Sequence, residues 1–585
     1  MSVYPKYILS LAVLAPMAYG WAQTPLNQDV QVTREYTPTV MDVNKVEQMP
    51  TLDDTSTYRP TFNYMILSKP FETTQGIEPI SPARLAADKK NNLTNSVAKF
   101  GFGTSNSLLG RFNYNILRSN LYALGLEVNH QSALGTLELE DGSDSKAPYS
   151  DTYAGLNFKR FFNKVTLSSQ LGFQHNLFDY YGYRSLRADS LYLIDGKNDP
   201  VEGSELLPDR HQRFGLFSFG LALQNTGTEK TSAQWAAGLG FSSFGNKTGV
   251  NQNKFDISAN ASFPVSSFRL KLDAGVSAYS TTVPESDSLL FIFTETQKTA
   301  ISISPRLEMP FEGGSVEAGL LMVAETGNND DQMHVAPVLT ANLRIADGIV
   351  SIYGGLKGNY FQNDYVSVAY ENPFVSPDLT TKSSFHGIDL HAGLKGSFSA
   401  SVTFNARVDY SFFNDEHFFV NRYWERNPLS PTATEAILDY HNLFGVVYDD
   451  GKLLKVAGEL FIAPSDALNV KLQAGYYGWQ LENELEAWHK PETELGISAF
   501  YKINKSLSAQ ASVNFLGARY AKVPAADPVK KLKGYADINA SVNYKLARSW
   551  NLWASVNNLA AANYFRWNGY PSYKLTTMVG ASYSF

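Results

Sequence analysis

Few stretches of this chain bring together side chains that could do chemistry. His386 and His391, in the segment HGIDLH, would suit a metal if both faced one way. On a regular strand, residues five apart point to opposite faces, so these two cannot share an ion. The acidic tips Asp141-Gly142-Ser143-Asp144 and Asn328-Asn329-Asp330-Asp331 offer the oxygen ligands that Ca²⁺ takes. A solvated turn uses the same composition, and we read them as turns. No serine, histidine and acid combination with local sequence support supplies a nucleophile. The chain has no cysteine, which removes disulfides, thiol chemistry and Cys-ligated metals. We therefore expect neither an enzyme nor a bound cofactor or metal. Trp550, Trp553 and Tyr583 could stack on a ligand, but such aromatics more often form the interfacial girdle of a membrane protein.

The elements that hold these residues repeat one pattern. In VNYKLARSWNLWASVNN (542–558), Val542, Tyr544 and Leu546 alternate with polar residues, and Trp550, Leu552, Ala554 and Val556 do the same after a turn at Ala547–Ser549. FDISANASF, FRLKLDAGVSA, LSAQASVNF and the terminal YKLTTMVGASYSF alternate likewise. Period two places one face of each strand in an apolar medium and the other in a polar one. The polar faces carry charges in mid-strand, with Arg269, Lys271, Asp273, Lys455, Glu459 and Lys471 all on the polar side. A sustained 3.6-residue pattern is almost absent, and after the N-terminus no run approaches the length of a spanning helix. These features describe an all-β transmembrane antiparallel up-and-down barrel, apolar toward lipid and polar toward a lumen. The net charge of −7 gives no reason to expect nucleic acid as a partner.

Three segments follow. Residues 1–22 have Lys6, an apolar stretch and Gly20-Trp21-Ala22, the form of a secretory signal peptide. Residues 23–94 are proline-rich and without alternation, an extended periplasmic tail. Residues 95–585 are the barrel. Short turns fall near Arg118–Asn120, Asn163-Lys164, Thr226–Lys230, Pro264–Ser267, Pro310–Gly313, Ala346–Gly348, Phe398–Ala400, Pro464–Asp466, Asn504-Lys505 and Ala547–Ser549. Connections between them are mostly longer, and if 414–451 is one large loop the alternation holds along the chain. It then gives about 22 strands, with about 16 as the lower bound, short periplasmic turns, longer external loops and both termini in the periplasm.

The last segment, YADINASVNYKLARSWNLWASVNNLAAANYFRWNGYPSYKLTTMVGASYSF, resembles the end of a TonB-dependent receptor barrel. The matching features are Asn558-Leu559, Tyr564, Gly569-Tyr570-Pro571 and a closing strand ending in Tyr583 and Phe585. Ser572-Tyr573 stands where the family often has Gly-Arg. Tyr583 and Phe585 resemble the C-terminal signal read by the barrel assembly machinery. Near the start, Asp29, Val30, Gln31, Val32 and Thr33 resemble a TonB box, an extended segment able to add to a partner's sheet edge. A stray β-prone patch would look the same. The resemblance stops at the plug: roughly 70 proline-rich residues replace that folded domain, and the chain also resembles plugless, receptor-like barrels of Bacteroidota. A barrel this wide must be filled or lined by the tail, by inward-folded loops or by a partner.

The resemblance implies an outer-membrane transporter or channel for an unidentified solute, with TonB or another periplasmic protein engaging residues 29–33. The alternative is a structural or assembly subunit of an outer-membrane complex that binds partners through 23–94.

Overall fold

A computed structural model describes residues 96–585, apart from stretches at 117–118, 183–192, 195–199, 202–208, 227–231, 285–291, 328–330, 346–348, 427–436 and 524–526. The signal-peptide, tail and TonB-box readings, and Asn328–Asp330, lie outside the described residues.

Strands form wherever the alternation runs. In chain order they are β1 Ser96–Gly103, β2 Ser107–Ile116, β3 Tyr122–Ala133, β4 Tyr149–Phe161, β5 Val165–Asp179, β6 His211–Asn225, β7 Gln234–Asn246 and β8 Asn251–Val265. There follow β9 Phe268–Thr282, β10 Thr296–Phe311, β11 Gly314–Thr326, β12 Gln332–Ile345, β13 Val350–Phe361, β14 Ser384–Ser399, β15 Val402–Arg426 and β16 Ile437–Ser465. The last six are β17 Leu468–Leu481, β18 Thr493–Lys502, β19 Leu507–Leu516, β20 Tyr535–Lys545, β21 Trp550–Asn557 and β22 Thr576–Ser584. They form one 22-stranded antiparallel sheet, closed by β1 against β22. Closure gives every strand two neighbours, so no edge is left to face lipid.

The outward faces carry the apolar residues. Phe255, Ile257, Phe263 and Val265 of β8, and Leu270 and Leu272 of β9, are exposed, while Asp256 and Ser262 are buried on the inner side. From Phe255 to Val265 a strand tilted by about 40° rises roughly 25 Å, the height of a bilayer's apolar band. Tyr544, Trp550, Tyr583 and Phe585 are exposed near the turn end of the wall. At the seam, Gly101 and Gly580 leave room for the Trp553 ring: a Cβ on Gly101 would lie 2.2 Å from that ring, and one on Gly580 would lie 1.9 Å from the Phe100 carbonyl.

Among the described residues, the short turns read from sequence lie at one end of the barrel, here the turn end, and the longer connections lie at the other, the loop end. Two details differ. The first loop-end connection is a tight turn, with Ser105 and Asn106 both at positive φ and the Ser107 amide donating to the Thr104 carbonyl at 3.1 Å. The segment 414–451 is not one loop, because β15 and β16 continue pairing beyond their neighbours from Glu416↔Asp449 to Arg426↔Ile437. Leu443–Tyr448 within it belong to the second arm of that ribbon, so the count of 22 holds while the loop shrinks.

Among the described residues no helix is long and apolar enough to cross a membrane, which says nothing against a barrel that crosses with strands. A short helix, α1, Tyr365–Glu371, sits in the β13–β14 connection. Asp364 caps it by accepting from the Ser367 amide, and Asn372-Pro373 ends it.

Candidate functional site

The candidate site is the lumen and the cap that closes its loop end. In the turn-end half the inner wall from β8 to β11 carries a ladder of opposite charges. Lys271 lies 3.0 Å from Glu308 and 2.7 Å from Glu317. Arg306 reaches Glu317 at 2.8 Å and also pairs with Asp273, while Arg269 donates to Ser262. Farther round, Lys471 lies 4.0 Å from Glu459, and Lys455 lies over the Tyr477 ring. All six lumen charges read from the alternation are on this inner side. Asp273 and Lys471 are still about half exposed at 48% and 47%, so the ladder borders water.

Toward the loop end the same inward positions become aromatic. On β15 the order is Arg407, Asp409, Ser411, then Phe413; on β5 it is Gln174, Asn176, then Phe178. Period two is unbroken while the chemistry of the inner face changes with height. Phe178, Phe214 and Phe244, from β5, β6 and β7, form edge contacts 4.9 and 5.3 Å apart. Their cluster includes Tyr365, Val368, Ala369 and Tyr370 of α1, Phe374 and Val375 after it, Phe419 and Phe444 of the ribbon, and Trp567, Tyr570 and Tyr573 of the β21–β22 connection.

These residues come from opposite walls, so the chain between them crosses the lumen. Lys254 of β8 pairs with the cap residue Asp364 at 2.9 Å, anchoring the start of α1. At its other end Glu371 meets His417 of the ribbon at 2.7 Å and Lys490 at 3.0 Å. Beyond the helix, the Phe444 amide donates to the Phe374 carbonyl at 2.9 Å and the Ser376 amide donates to the Phe444 carbonyl at 2.8 Å. Phe374 also stacks on Tyr570 at 3.6 Å. Tyr181 donates to the Pro571 carbonyl at 2.8 Å. The Tyr573 hydroxyl donates to the Ala147 carbonyl and accepts from the Gly135 amide, and burial pushes it up to about 12. Of the three ways to fill a wide barrel, inward-folded connections are thus visible at the loop end.

Buried polar groups tie the cap together. Burial alone would lower Lys490, but the carboxylates of Glu371 and Glu416 outweigh it and hold the ammonium above its ordinary value. His489 lies wholly inside: burial, with Arg519 adding to it, pushes its imidazole down to about 3 against the pull of the Phe419 carbonyl. Arg519 is 1% exposed and donates to the carbonyls of Phe565 and Arg566. Burial disfavours the charge on both Arg519 and Arg566.

The residues singled out from sequence are not brought to one place. His386 and His391 need a correction: a bulge between His386 and Ile388 shifts the register, so the odd spacing no longer separates their faces. His386 lies opposite Asn359 and Phe413 on the inner side and meets Glu416 at 3.2 Å; His391 lies opposite Gly355 and Asp409, also inward. They still share no partner, and among the described residues no group of three or more acids and histidines is arranged for a metal. Asp141 accepts from Ser143, an ordinary turn contact. Trp550 and Tyr583 pair on the outer face with Phe585 beside them, while Trp553 packs inward with Leu109 and Met578. Phe585 also exchanges backbone hydrogen bonds with Ser96, completing the closing seam.

The cap was missed by sequence reasoning, although a signal existed. Tyr365, Val366, Val368, Tyr370, Phe374 and Val375 crowd a segment that turn lengths assign to a loop, and exposed loops seldom carry so many large apolar residues.

No sequence family matches this chain, and no curated protein matches it. Solved structures do. The copper transporter OprC superposes with a TM-score of 0.58 at 13% identity, covering 84% of this chain and 80% of that one. The siderophore receptor PirA from Acinetobacter baumannii gives 0.57 at 11% identity, covering 85% and 81%. The FrpB iron transporter from Neisseria meningitidis gives 0.59 at 10% identity, covering 84% and 81%. At such identities the likeness is one of fold.

Proposed function

We propose that this chain is an outer-membrane barrel of TonB-dependent receptor type that admits a solute through a gated lumen. The observation that carries this reading is the closed 22-stranded barrel with a charged, water-lined inner face, a fold shared with proteins described as copper and iron transporters and a siderophore receptor. On this reading residues 1–22 direct export, both termini are periplasmic, and Asp29–Thr33 within the 23–94 tail engage TonB or another periplasmic protein. Tyr583 and Phe585 serve as the signal for barrel assembly. The mixed signs of the ladder argue against a strongly selective ion pore and suit a polar solute.

One observation favours the second reading, a non-transporting subunit of an outer-membrane complex: the cap is a continuous packed core. Deleting residues 29–33 separates the two. A TonB-coupled transporter loses uptake of its solute while the barrel stays folded and heat-resistant. If deleting the whole gene impairs no nutrient's uptake, and partners are captured through 23–94, the subunit reading replaces transport.

A further inference from the structure

The cap is held at its centre by one imidazole. His489 belongs to the β17–β18 connection, and its own amide donates to the Tyr520 carbonyl at 2.8 Å. Its Nε2 lies 3.2 Å from the Asn568 amide nitrogen of the β21–β22 connection, and its Nδ1 lies 2.9 Å from the Phe419 carbonyl of the ribbon. A backbone N–H can only donate, so Nε2 must accept; a carbonyl can only accept, so Nδ1 must carry the proton. The geometry selects one neutral tautomer and joins three inward-folded segments through it. A second proton on Nε2 would face the Asn568 N–H and remove that bond.

We propose that His489 is a proton-operated pin, and that its protonation releases the β21–β22 connection from the ribbon and opens the cap. Burial and the neighbouring Arg519 resist a positive charge on the ring while the cap is closed, and they outweigh the pull of the Phe419 carbonyl. Arg519 faces it from the short strand Arg519–Lys522, which pairs with Val529–Leu532. Arg566 lies over the Trp567 ring, which also touches the imidazole at 5.4 Å. The ribbon contributes Phe419 and Phe444, which do not titrate. Lys490, the next residue, is turned to Glu371. Closed and protonated are therefore competing states.

The sign follows from linkage. The capped form takes up the proton near pH 3, while a released, hydrated imidazole takes it up near 6.5. Between these values the open form binds more protons, so acid favours opening, by about 30-fold between pH 7.5 and pH 5. The proposal rests on the cap and not on transport, so either can fail without the other.

The absence of native cysteine makes the test direct. Ala369→Cys places a thiol on α1 at a position with 0% exposure, and Asp144→Cys gives an exposed control thiol. Maleimide labelling of the first relative to the second is followed from pH 7.5 to 5 in the full chain in detergent, in parallel with His489→Gln and His417→Gln. The pin predicts a rise of the order of tenfold or more in the parent and in His417→Gln, and no pH slope in His489→Gln. A His489→Gln cap that labels fast at every pH agrees with the pin, since the slope is gone. A flat parent, a rise that persists without His489, or a slope that vanishes with His417 instead overturns it.

Discussion

The two ends of this barrel are made from the same strands and differ in what their inner faces meet. At the turn end Lys271, Arg306, Glu308 and Glu317 pair across strands beside water, and Lys271, Arg306 and Glu317 each keep two partners. At the loop end Phe178, Phe374, Phe444 and Tyr570 pack on residues from other walls and are almost fully buried. The difference teaches where stability and control reside. A hydrated ladder with alternative partners tolerates loss of a member, because water replaces it. A dry core spanning the lumen fails when one ring is removed, because nothing fills the space.

The largest effect is expected at the loop end. Tyr570→Ala removes a ring that is 2% exposed and stacked on Phe374, costing the cap about 3–5 kcal/mol. Limited proteolysis should then cut the β13–β14 and β21–β22 connections while the barrel still migrates as a heat-resistant species in semi-native electrophoresis. A smaller loss is expected for Glu371→Gln, which leaves Lys490 without its near carboxylate, about 1–3 kcal/mol. Adding Lys490→Met should recover part of it, and additive losses in the same proteolysis assay would break the pairing argument. The smallest change is expected for Lys271→Met in the ladder, at most about 1 kcal/mol in thermal unfolding, since Arg306 still holds Glu317. A ladder substitution more damaging than Tyr570→Ala would invert the comparison.

The barrel was readable because two solvents enforce it. Lipid outside and water inside impose period two on each strand, and Phe255, Ile257, Leu270 and Leu272 show it without any partner in view. The turns were readable because tight reversals use short polar segments. The cap was not, since its contacts join residues far apart, such as Tyr573 with Ala147 at a separation of 426 residues. No local period marks which connections fold inward. The bulge beside His386 was equally hidden, because one extra residue reverses a face without changing the alternation on either side of it.

The central claim is that the lumen is an aqueous passage shut at the loop end by this packed core. Conductance of the purified full-length chain in planar bilayers, measured for the parent and for Tyr570→Ala, tests it most directly. The parent should stay near baseline and Tyr570→Ala should show stable open-channel current. A parent that conducts freely, or a cap-opened variant that never does, would contradict the account.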